Sequence, residues 1–177
     1  MKKILLHACC APCSAYCIEK LNNLGYQPVL YFYNPNIYPE SEFKRRLLEL
    51  EQYCTKKNIE LITEKYEPNL WSDFITGLEW EEEGKARCAR CFELRLLKTA
   101  IQAIKSNISL FTTTLTISPH KNSNKIFEIG ISIAEKYQLS FLDINFKKED
   151  GFLKTMQIAK EENFYRQKYC GCEYSMN

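Results

Sequence analysis

The sequence predicts an α/β fold, built as a mostly parallel sheet flanked by helices. Short segments rich in β-branched and aromatic residues alternate with longer segments whose apolar residues recur at helical spacing. This alternation is typical of parallel strands joined by right-handed helical crossovers. A chain of 177 residues can bury a core without disulfides or a structural metal. We expect a single α/β domain over residues 1–177, with a cysteine-bearing tail over about 165–177.

Turn and cap signals indicate the elements of the first half. Pro12 is typical of the first turn of a helix and Gly25 of a helix end, so we expect a helix between them. Ser41 predicts the N-cap of a second helix, which runs through Tyr53. The predicted strands lie at residues 3–7, 28–33 and 59–63.

The second half continues the same alternation. Residues 68–84 are predicted to form a helix and a loop, and further helices are predicted at residues 86–105, 123–137 and 153–164. The predicted strands lie at residues 109–113 and 141–144. Ligands bind outside the carboxyl ends of parallel strands. We therefore expect the loop at 7–13 and the loop at 114–120 to face one cleft.

Charge and hydropathy exclude several classes of partner. The 24 Lys and Arg residues nearly balance 22 Asp and Glu residues, and a net charge of +2 does not by itself indicate nucleic acid or a membrane. The N-terminus lacks the apolar core of a signal peptide, and no apolar run reaches the ~20 residues that span a bilayer. We expect a soluble, cytoplasmic protein with no membrane partner.

Nine cysteines carry most of the functional signal. In a reducing compartment, clustered thiols are more often metal ligands or redox groups than structural disulfides. Cys88 and Cys91 stand three residues apart at a helix start, which points both thiols to one side. Cys9 and Cys10 offer two further ligands if the fold brings the first strand beside that helix. Each pair can instead pack as small buried side chains.

The metal ligands predicted from these pairs are Cys9, Cys10, Cys88 and Cys91. Four thiolates suit zinc and an iron–sulfur cluster equally well. A closed zinc site would be structural and would leave the two C-terminal cysteines without a role. An iron–sulfur cluster carries electrons and gives a neighbouring redox pair a purpose, so we favour iron–sulfur.

The C-terminal motif Cys170-Gly171-Cys172 is predicted to be a catalytic redox pair. Gly171 gives the backbone the freedom to bring the two sulfurs together. The disulfide would close a small strained ring, and strained, exposed disulfides are easily reduced. The alternatives are frayed C-terminal residues or extra ligands to a metal.

The remaining candidates have weaker signals. Cys13 can ligate the cluster or bind a second metal, and His120, in the cleft loop, can donate a proton. Cys17 and Cys54 are predicted to be inert core thiols.

Local charge predicts a surface for RNA. Residues 85–105 hold six basic residues and one acidic residue. Arg95 and Lys98 share a helical face with Cys88 and Cys91, so a polyanion would be steered across the metal site. The alternative is an ordinary solvated helix face. The tail also holds tyrosines that can stack on unpaired bases or pack on the body of the protein: Tyr165, Tyr169 and Tyr174.

Taken in order, these motifs resemble the QueH-type epoxyqueuosine reductases, which lack cobalamin. The matching segments, spread over nearly the whole chain, are His7-x-Cys9-Cys10-Ala11-Pro12, Asn34-Pro35-Asn36-Ile37, Cys88-x-x-Cys91, Thr113-x-Leu115-x-Ile117-Ser118-Pro119-His120-Lys121 and Cys170-Gly171-Cys172. The resemblance implies an oxidoreductase that removes the epoxide oxygen of epoxyqueuosine at the wobble position of tRNA, giving queuosine. Its implied partners are tRNA carrying epoxyqueuosine in the anticodon loop and an unidentified electron donor.

The resemblance also implies site roles. The ligands that it assigns to a [4Fe-4S] cluster are Cys9, Cys10, Cys88 and Cys91. It assigns a redox-active disulfide to Cys170 and Cys172, and it suggests an adjacent iron ion in some members. The sheet resembles adenine-nucleotide α-hydrolase-like (Rossmann-like) folds. The phosphate loop of those folds is replaced here by the cysteine motif, so no ATP use is expected.

Two other functions stay open from the residues themselves. Cys10-Ala11-Pro12-Cys13, after a strand and before a helix, is the layout of a thioredoxin-like thiol–disulfide oxidoreductase. The other function is a non-catalytic, zinc-stabilised RNA-binding module. Broad visible absorption of the anaerobically purified protein would favour the cluster over both.

Overall fold

Parallel strands form the central sheet of the computed structural model, which describes residues 1–176. The strands are β1 (Lys2–His7), β2 (Tyr26–Phe32), β3 (Leu61–Thr63), β4 (Leu110–Thr113) and β5 (Ser140–Phe141). They stand in the order β3-β2-β1-β4-β5, and every neighbouring pair is parallel. The predicted parallel α/β sheet is confirmed. Residue 177, the last of the predicted tail, lies outside the described residues.

Helices pack on both faces of this sheet. They are α1 (Ala11–Asn23), α2 (Glu40–Lys57), α3 (Pro68–Phe74), α4 (Ala86–Lys105), α5 (Ser123–Lys136) and α6 (Gly151–Glu161). Successive residues of β1 point to opposite faces. Ile4 and Leu6 join the core with α1 and α2, whereas Leu5 joins the core with α4 and α5. Burial on both faces explains why β1 reads as a continuous apolar run.

Two predictions are wrong for local reasons, the cap of α2 and the extent of the last strand. α2 begins at Glu40 after the extended residue Pro39, so Ser41 lies inside the first turn and is not the cap. The predicted strand at 141–144 keeps only its first residue. The hydroxyls of Thr112 and Thr116 donate to the carbonyls of residues 142 and 144 at 2.7 and 2.8 Å, and these side-chain bonds take the place of a backbone ladder. The helix and loop predicted within residues 68–84 are confirmed, with the helix α3 ending at residue 74.

The carboxyl ends of β1 and β4 lie side by side in the middle of the sheet. His7 stands opposite Tyr31 of β2 on one side and Thr113 of β4 on the other. The chain passes from β1 to β2 in one direction and reaches β4 in the other, which makes this the topological switch point where such sheets bind ligands. The two loops meet there, as predicted: the backbone N–H of Cys9 donates to Thr114 Oγ1 at 3.4 Å.

Within residues 1–176, no helix combines the length and the apolar composition that a membrane crossing requires.

Candidate functional site

A triad of thiols occupies the turn between β1 and α1. The Sγ atoms of Cys9, Cys10 and Cys13 all lie within 4.8 Å of one another, and those of Cys9 and Cys10 are 3.7 Å apart. Cys10 precedes the helix with an extended backbone, and Pro12 starts the first turn, which places Cys13 beside the other two thiols. Three thiols at this spacing can hold a metal ion.

The pKa values of the three thiols in the triad differ. Hydrogen bonds from the Cys10 and Cys13 thiols hold the pKa of Cys9 well below its usual value, and Thr114 adds another donor. The hydrogen bonds made to Cys10 and Cys9, together with burial, raise the pKa of Cys13 well above its usual value. Cys9 is therefore the thiol of the triad that loses its proton most readily, and a thiolate is the form that ligates metals.

A second group of thiols lines a cavity beside the start of α4. The cavity measures about 290 Å³, and we call it the thiol cavity. The cysteines that line it are Cys88, Cys91, Cys170 and Cys172. Cys91 is buried, and the backbone N–H of Gly84 donates to Cys88 Sγ at 3.1 Å. The structure therefore brings Cys170 and Cys172 to the same cavity as Cys88 and Cys91.

Arg95 connects the two thiol groups electrostatically. It is 2% exposed, and its Nε donates to the carbonyl of Cys91 at 3.1 Å. Burial lowers the pKa of Arg95, but the negative charges of Cys91, Cys170 and Cys9 raise it by more. The guanidinium therefore stays charged and within electrostatic reach of the triad as well as the thiol cavity.

Lys121 is a second cation that lines the thiol cavity. Burial lowers its pKa, whereas the charges of Cys170, Cys9 and Cys13 raise it by more, with a net upward shift. It lines the thiol cavity together with Arg95. Buried Arg95 and half-buried Lys121 thus lie between the two groups of cysteines.

The buried polar atoms fit an anionic group bound between these thiols. Arg95 Nη2 is buried and has no hydrogen-bond acceptor within the part of the chain that the structure describes. An unpaired buried guanidinium N–H is costly, so an acceptor is expected there when the site is filled. A thiolate-ligated metal centre would supply that acceptor.

The amino-acid sequence matches the family model described as "Epoxyqueuosine reductase QueH" over residues 4–177. This chain belongs to the QueH family. The QueH of Haemophilus influenzae is 42% identical over 175 residues, which cover 98% of this chain and 71% of that protein. The QueH of Streptococcus pyogenes is 39% identical, with 97% and 69% covered, and that of Thermotoga maritima is 34% identical, with 99% and 91% covered.

A solved structure shares the fold. It is a predicted subunit of a tRNA methyltransferase from Methanocaldococcus jannaschii, with a TM-score of 0.61, 13% identity, and coverage of 91% of this chain and 76% of that one. At that identity the likeness concerns the fold alone. QueH membership confirms the predicted resemblance and the oxidoreductase class, and it favours neither the thioredoxin-like nor the zinc-module alternative.

The four ligands predicted for a QueH cluster are divided between the two thiol groups. Cys9 and Cys10 lie in the triad with Cys13, whereas Cys88 and Cys91 line the thiol cavity. Among residues 1–176, the cysteines whose sulfur atoms lie close enough together to share one metal ion are those of the triad. The set of four stays a prediction, and Arg95 is the charged group that both halves share.

The predicted RNA-steering face is wrong. Arg95 is buried, and Lys98 is half-buried with its Nζ 5.7 Å from the ring centroid of Tyr33, so this face of α4 points into the protein. The tail tyrosines pack on the body, which was the alternative: the Arg45 guanidinium lies 3.4 Å from the Tyr165 ring centroid, and Trp71 lies 6.0 Å from that of Tyr174.

The remaining candidates separate into core and rim. Cys17 and Cys54 are buried in the core, as predicted. His120 is exposed at the rim of the thiol cavity. His7 is buried between Thr113 Oγ1 at 3.0 Å and the carbonyl of Tyr33 at 3.1 Å, which gives it a structural role.

Two contacts with the triad were not predicted. Thr114 Oγ1 donates to Cys9 Sγ at 3.5 Å, and Gln167 Nε2 donates to Cys10 Sγ at 3.4 Å. The position of Thr114 directly after β4 is a signal that the switch-point rule could have used. No sequence pattern singles out Gln167, because the tail has no regular structure at that point.

Proposed function

We propose that this protein reduces epoxyqueuosine in tRNA to queuosine. The observation that carries the proposal is the convergence of Cys88, Cys91, Cys170 and Cys172 on one cavity. Family membership supplies the substrate class, and the thiol cavity supplies a place where a redox pair and metal-ligating thiols meet.

The size and rim of the thiol cavity suit a single nucleoside. Its volume of about 290 Å³ is near the lower end of small-molecule pockets, ~300–1,000 Å³. Enzymes that act on one base take it out of the stack into such a pocket. Lys85, His120 and Lys125 are exposed at the rim, where Lys85 and Lys125 can meet the neighbouring phosphates.

The donor set suits an iron–sulfur centre. We infer that the thiolates of Cys9, Cys10, Cys88 and Cys91 hold a [4Fe-4S] cluster, and that Cys13 is available as a ligand to an adjacent iron ion. A bound cluster supplies electrons one at a time. The unpaired Nη2 of Arg95 supports an anionic occupant between the two thiol groups.

Oxidation of the Cys170 and Cys172 thiols supplies the electrons and protons that the reaction consumes. An epoxide that loses its oxygen as water takes up two electrons and two protons and leaves a carbon–carbon double bond. Oxidation of the Cys170 and Cys172 thiols to a disulfide releases two electrons and two protons. A reductant of the thiol class then restores the dithiol. Lys121, held as a cation in the thiol cavity, stabilises negative charge on the departing oxygen.

The test is a single turnover without external reductant. Pre-reduced protein should convert about one equivalent of epoxyqueuosine tRNA and end with a 170–172 disulfide. Cys170→Ser and Cys172→Ser should abolish this turnover while the visible absorption of the metal centre persists. Cys54→Ala, a core thiol outside the site, is the matched control. Undiminished turnover in either serine variant would disprove the dithiol role.

A further inference from the structure

One face of α2 is occupied by the tail segment, defined here as residues 165–172. The residues of this face, which we call the docking stripe, are Glu42, Arg45, Arg46 and Glu49. Their spacing of three, one and three residues places them on one side of the helix. Every member of the stripe contacts the tail segment.

Arg46 makes the central contacts of the stripe. It is 1% exposed, and its Nη1 donates to the carbonyl of Cys170 at 3.0 Å. Its Nη2 donates to the carbonyl of Tyr169 at 3.4 Å, and the guanidinium lies 5.4 Å from the ring centroid of Tyr169. The planar fork of an arginine can reach two consecutive carbonyls in this way, whereas a lysine offers a single point charge.

Glu42 holds Arg46 in that orientation. Its Oε1 accepts from Arg46 Nε at 2.7 Å, and its Oε2 accepts from the hydroxyl of Tyr165 at 3.1 Å. The Glu42 side chain is 10% exposed, and the Arg46 side chain is 2% exposed. A buried ion pair gives little net stability compared with apolar packing, but this one fixes the orientation in which the guanidinium reaches the tail carbonyls.

The loop before α2 holds the other side of the tail segment. The backbone N–H of Tyr38 donates to the carbonyl of Gly171 at 2.8 Å, and the hydroxyl of Tyr169 donates to the carbonyl of Tyr38. Gly171 has a φ of +151°, and a Cβ at this position would lie 3.2 Å from Asn36 Nδ2 and 3.4 Å from Arg46 Nη1. The carbonyls of 169, 170 and 171 are thus all fixed.

We propose that Arg46, oriented by Glu42, is a positioning residue that keeps the Cys170 and Cys172 thiols apart at the thiol cavity and so favours their reduced form. This inference rests on the proposed redox role of that pair. Closing a Cys-x-Cys disulfide requires the backbone around Gly171 to bend, and the fixed carbonyls on both sides oppose that bend. Stabilising the dithiol makes the pair an easier target for re-reduction by a thiol.

The test is the thiol–disulfide equilibrium of the pair in a glutathione buffer, measured anaerobically on the full chain. Two thiols transfer two electrons and two protons to glutathione disulfide, giving the protein disulfide and two glutathione molecules. Cleavage after Lys168 releases residues 169–177, a peptide with these two cysteines and no other, so differential alkylation and mass spectrometry report on this pair.

Arg46→Lys should shift the equilibrium toward the disulfide by about tenfold, comparable to the loss of one charge-assisted hydrogen bond and equal to about 30 mV for a two-electron couple. Tyr169→Phe, which leaves α2 intact, should give a smaller shift in the same direction. Lys44→Gln removes an exposed charge from the same helix and should leave the equilibrium unchanged. In turnover driven by a thiol reductant, Arg46→Lys should lower kcat, because the more stable disulfide is reduced less readily, and leave KM for tRNA unchanged.

The outcomes separate this inference from the proposed function. A wild-type equilibrium in folded Arg46→Lys and in Tyr169→Phe would overturn the positioning role, even if Cys170→Ser abolishes turnover. A shifted equilibrium combined with full turnover in Cys170→Ser would uphold the positioning role and refute the proposed redox role.

Discussion

Arg95 is the single residue on which the electrostatics of the site depend most. It is buried, hydrogen-bonded to the Cys91 carbonyl, and carries an unpaired Nη2. Electrostatic interactions with cysteines of both groups, led by Cys91, raise its pKa against the effect of burial. A cation in that place lowers the cost of adding an electron to any metal centre that the thiols bind, because reduction potentials follow local charge and hydrogen bonding.

Arg95→Gln should therefore make the midpoint potential of the proposed metal centre more negative. A unit charge several ångströms away, at an effective dielectric constant of ~20, contributes ~2 kcal/mol, which is roughly 90 mV for a one-electron couple. Anaerobic redox titration followed by visible absorption measures the shift. Lys98→Gln removes a charge from the same helix beside Tyr33 and serves as the control. Equal potentials in wild type and Arg95→Gln would contradict this role.

The spacing of Cys88, Cys91 and Arg95 correctly predicted that they share one face of α4. The prediction that this face is a surface for RNA was wrong, because Arg95 is buried. Spacing along a helix defines which residues share a face, but a face of thiols and charges looks the same whether it meets solvent or a polar cavity. α4 packs on the sheet through one face and lines the thiol cavity with another, so the face that holds Cys91 and Arg95 is turned away from bulk solvent. Only the tertiary arrangement distinguishes these cases.

At the scale of elements, the docking stripe shows why the tail escaped prediction. The apolar side of α2 was readable from its periodicity, whereas the tail contacts the polar side through buried ions and backbone carbonyls. Alternating acidic and basic residues on a helix ordinarily indicate a solvated face. The first four strands, in contrast, were predicted to within two residues at each end, because β-branched and aromatic runs bounded by turns are local signals.

A second polar contact joins α2 to the region after α6. Glu162 accepts from Lys56 at 2.5 Å and from Lys57 at 3.0 Å, and these hydrogen bonds, led by that from Lys56, lower the pKa of Glu162. A carboxyl whose pKa is lower in the folded state stabilises the fold above its ordinary pKa. That contribution is lost as the pH falls through the lowered value.

Glu162→Gln should accordingly reduce the free energy of unfolding at neutral pH, by less than about 1 kcal/mol because the lysines are exposed. The difference from wild type should vanish in strong acid. Urea unfolding at a series of pH values measures it. Glu161→Gln changes the same charge one residue earlier without contacting α2 and should show no such pH dependence. A difference that grows as the pH falls would refute the assignment.

At the scale of the molecule, the sheet order determines where chemistry takes place. The switch point beside β1 brings together the triad after β1, the loop after β4 and the start of α4, three segments far apart in sequence. The switch-point rule predicted the meeting of the two loops. It contains no information on the tail, whose approach depends on the docking stripe and on the loop at 36–38.

The same geometry locates the surface on which tRNA should bind. Lys85 and Lys125 are exposed at the rim of the thiol cavity, on the starts of α4 and α5. If the wobble nucleoside enters the cavity as proposed, its flanking phosphates lie at this rim. Positive charge there neutralises phosphates, so binding depends on salt through the number of phosphates contacted.

Lys85→Glu combined with Lys125→Glu should weaken tRNA binding by at least about tenfold and reduce the slope of log K against log salt by about 1.4, as for two contacts to single-stranded phosphates. Titration at several salt concentrations measures both quantities. Lys2→Glu combined with Lys105→Glu is the matched control, because it makes the same change of net charge at the amino edge of the sheet, where both residues are exposed. If the two pairs weaken binding equally and leave equal slopes, the effect comes from net charge, and the rim is not the RNA surface.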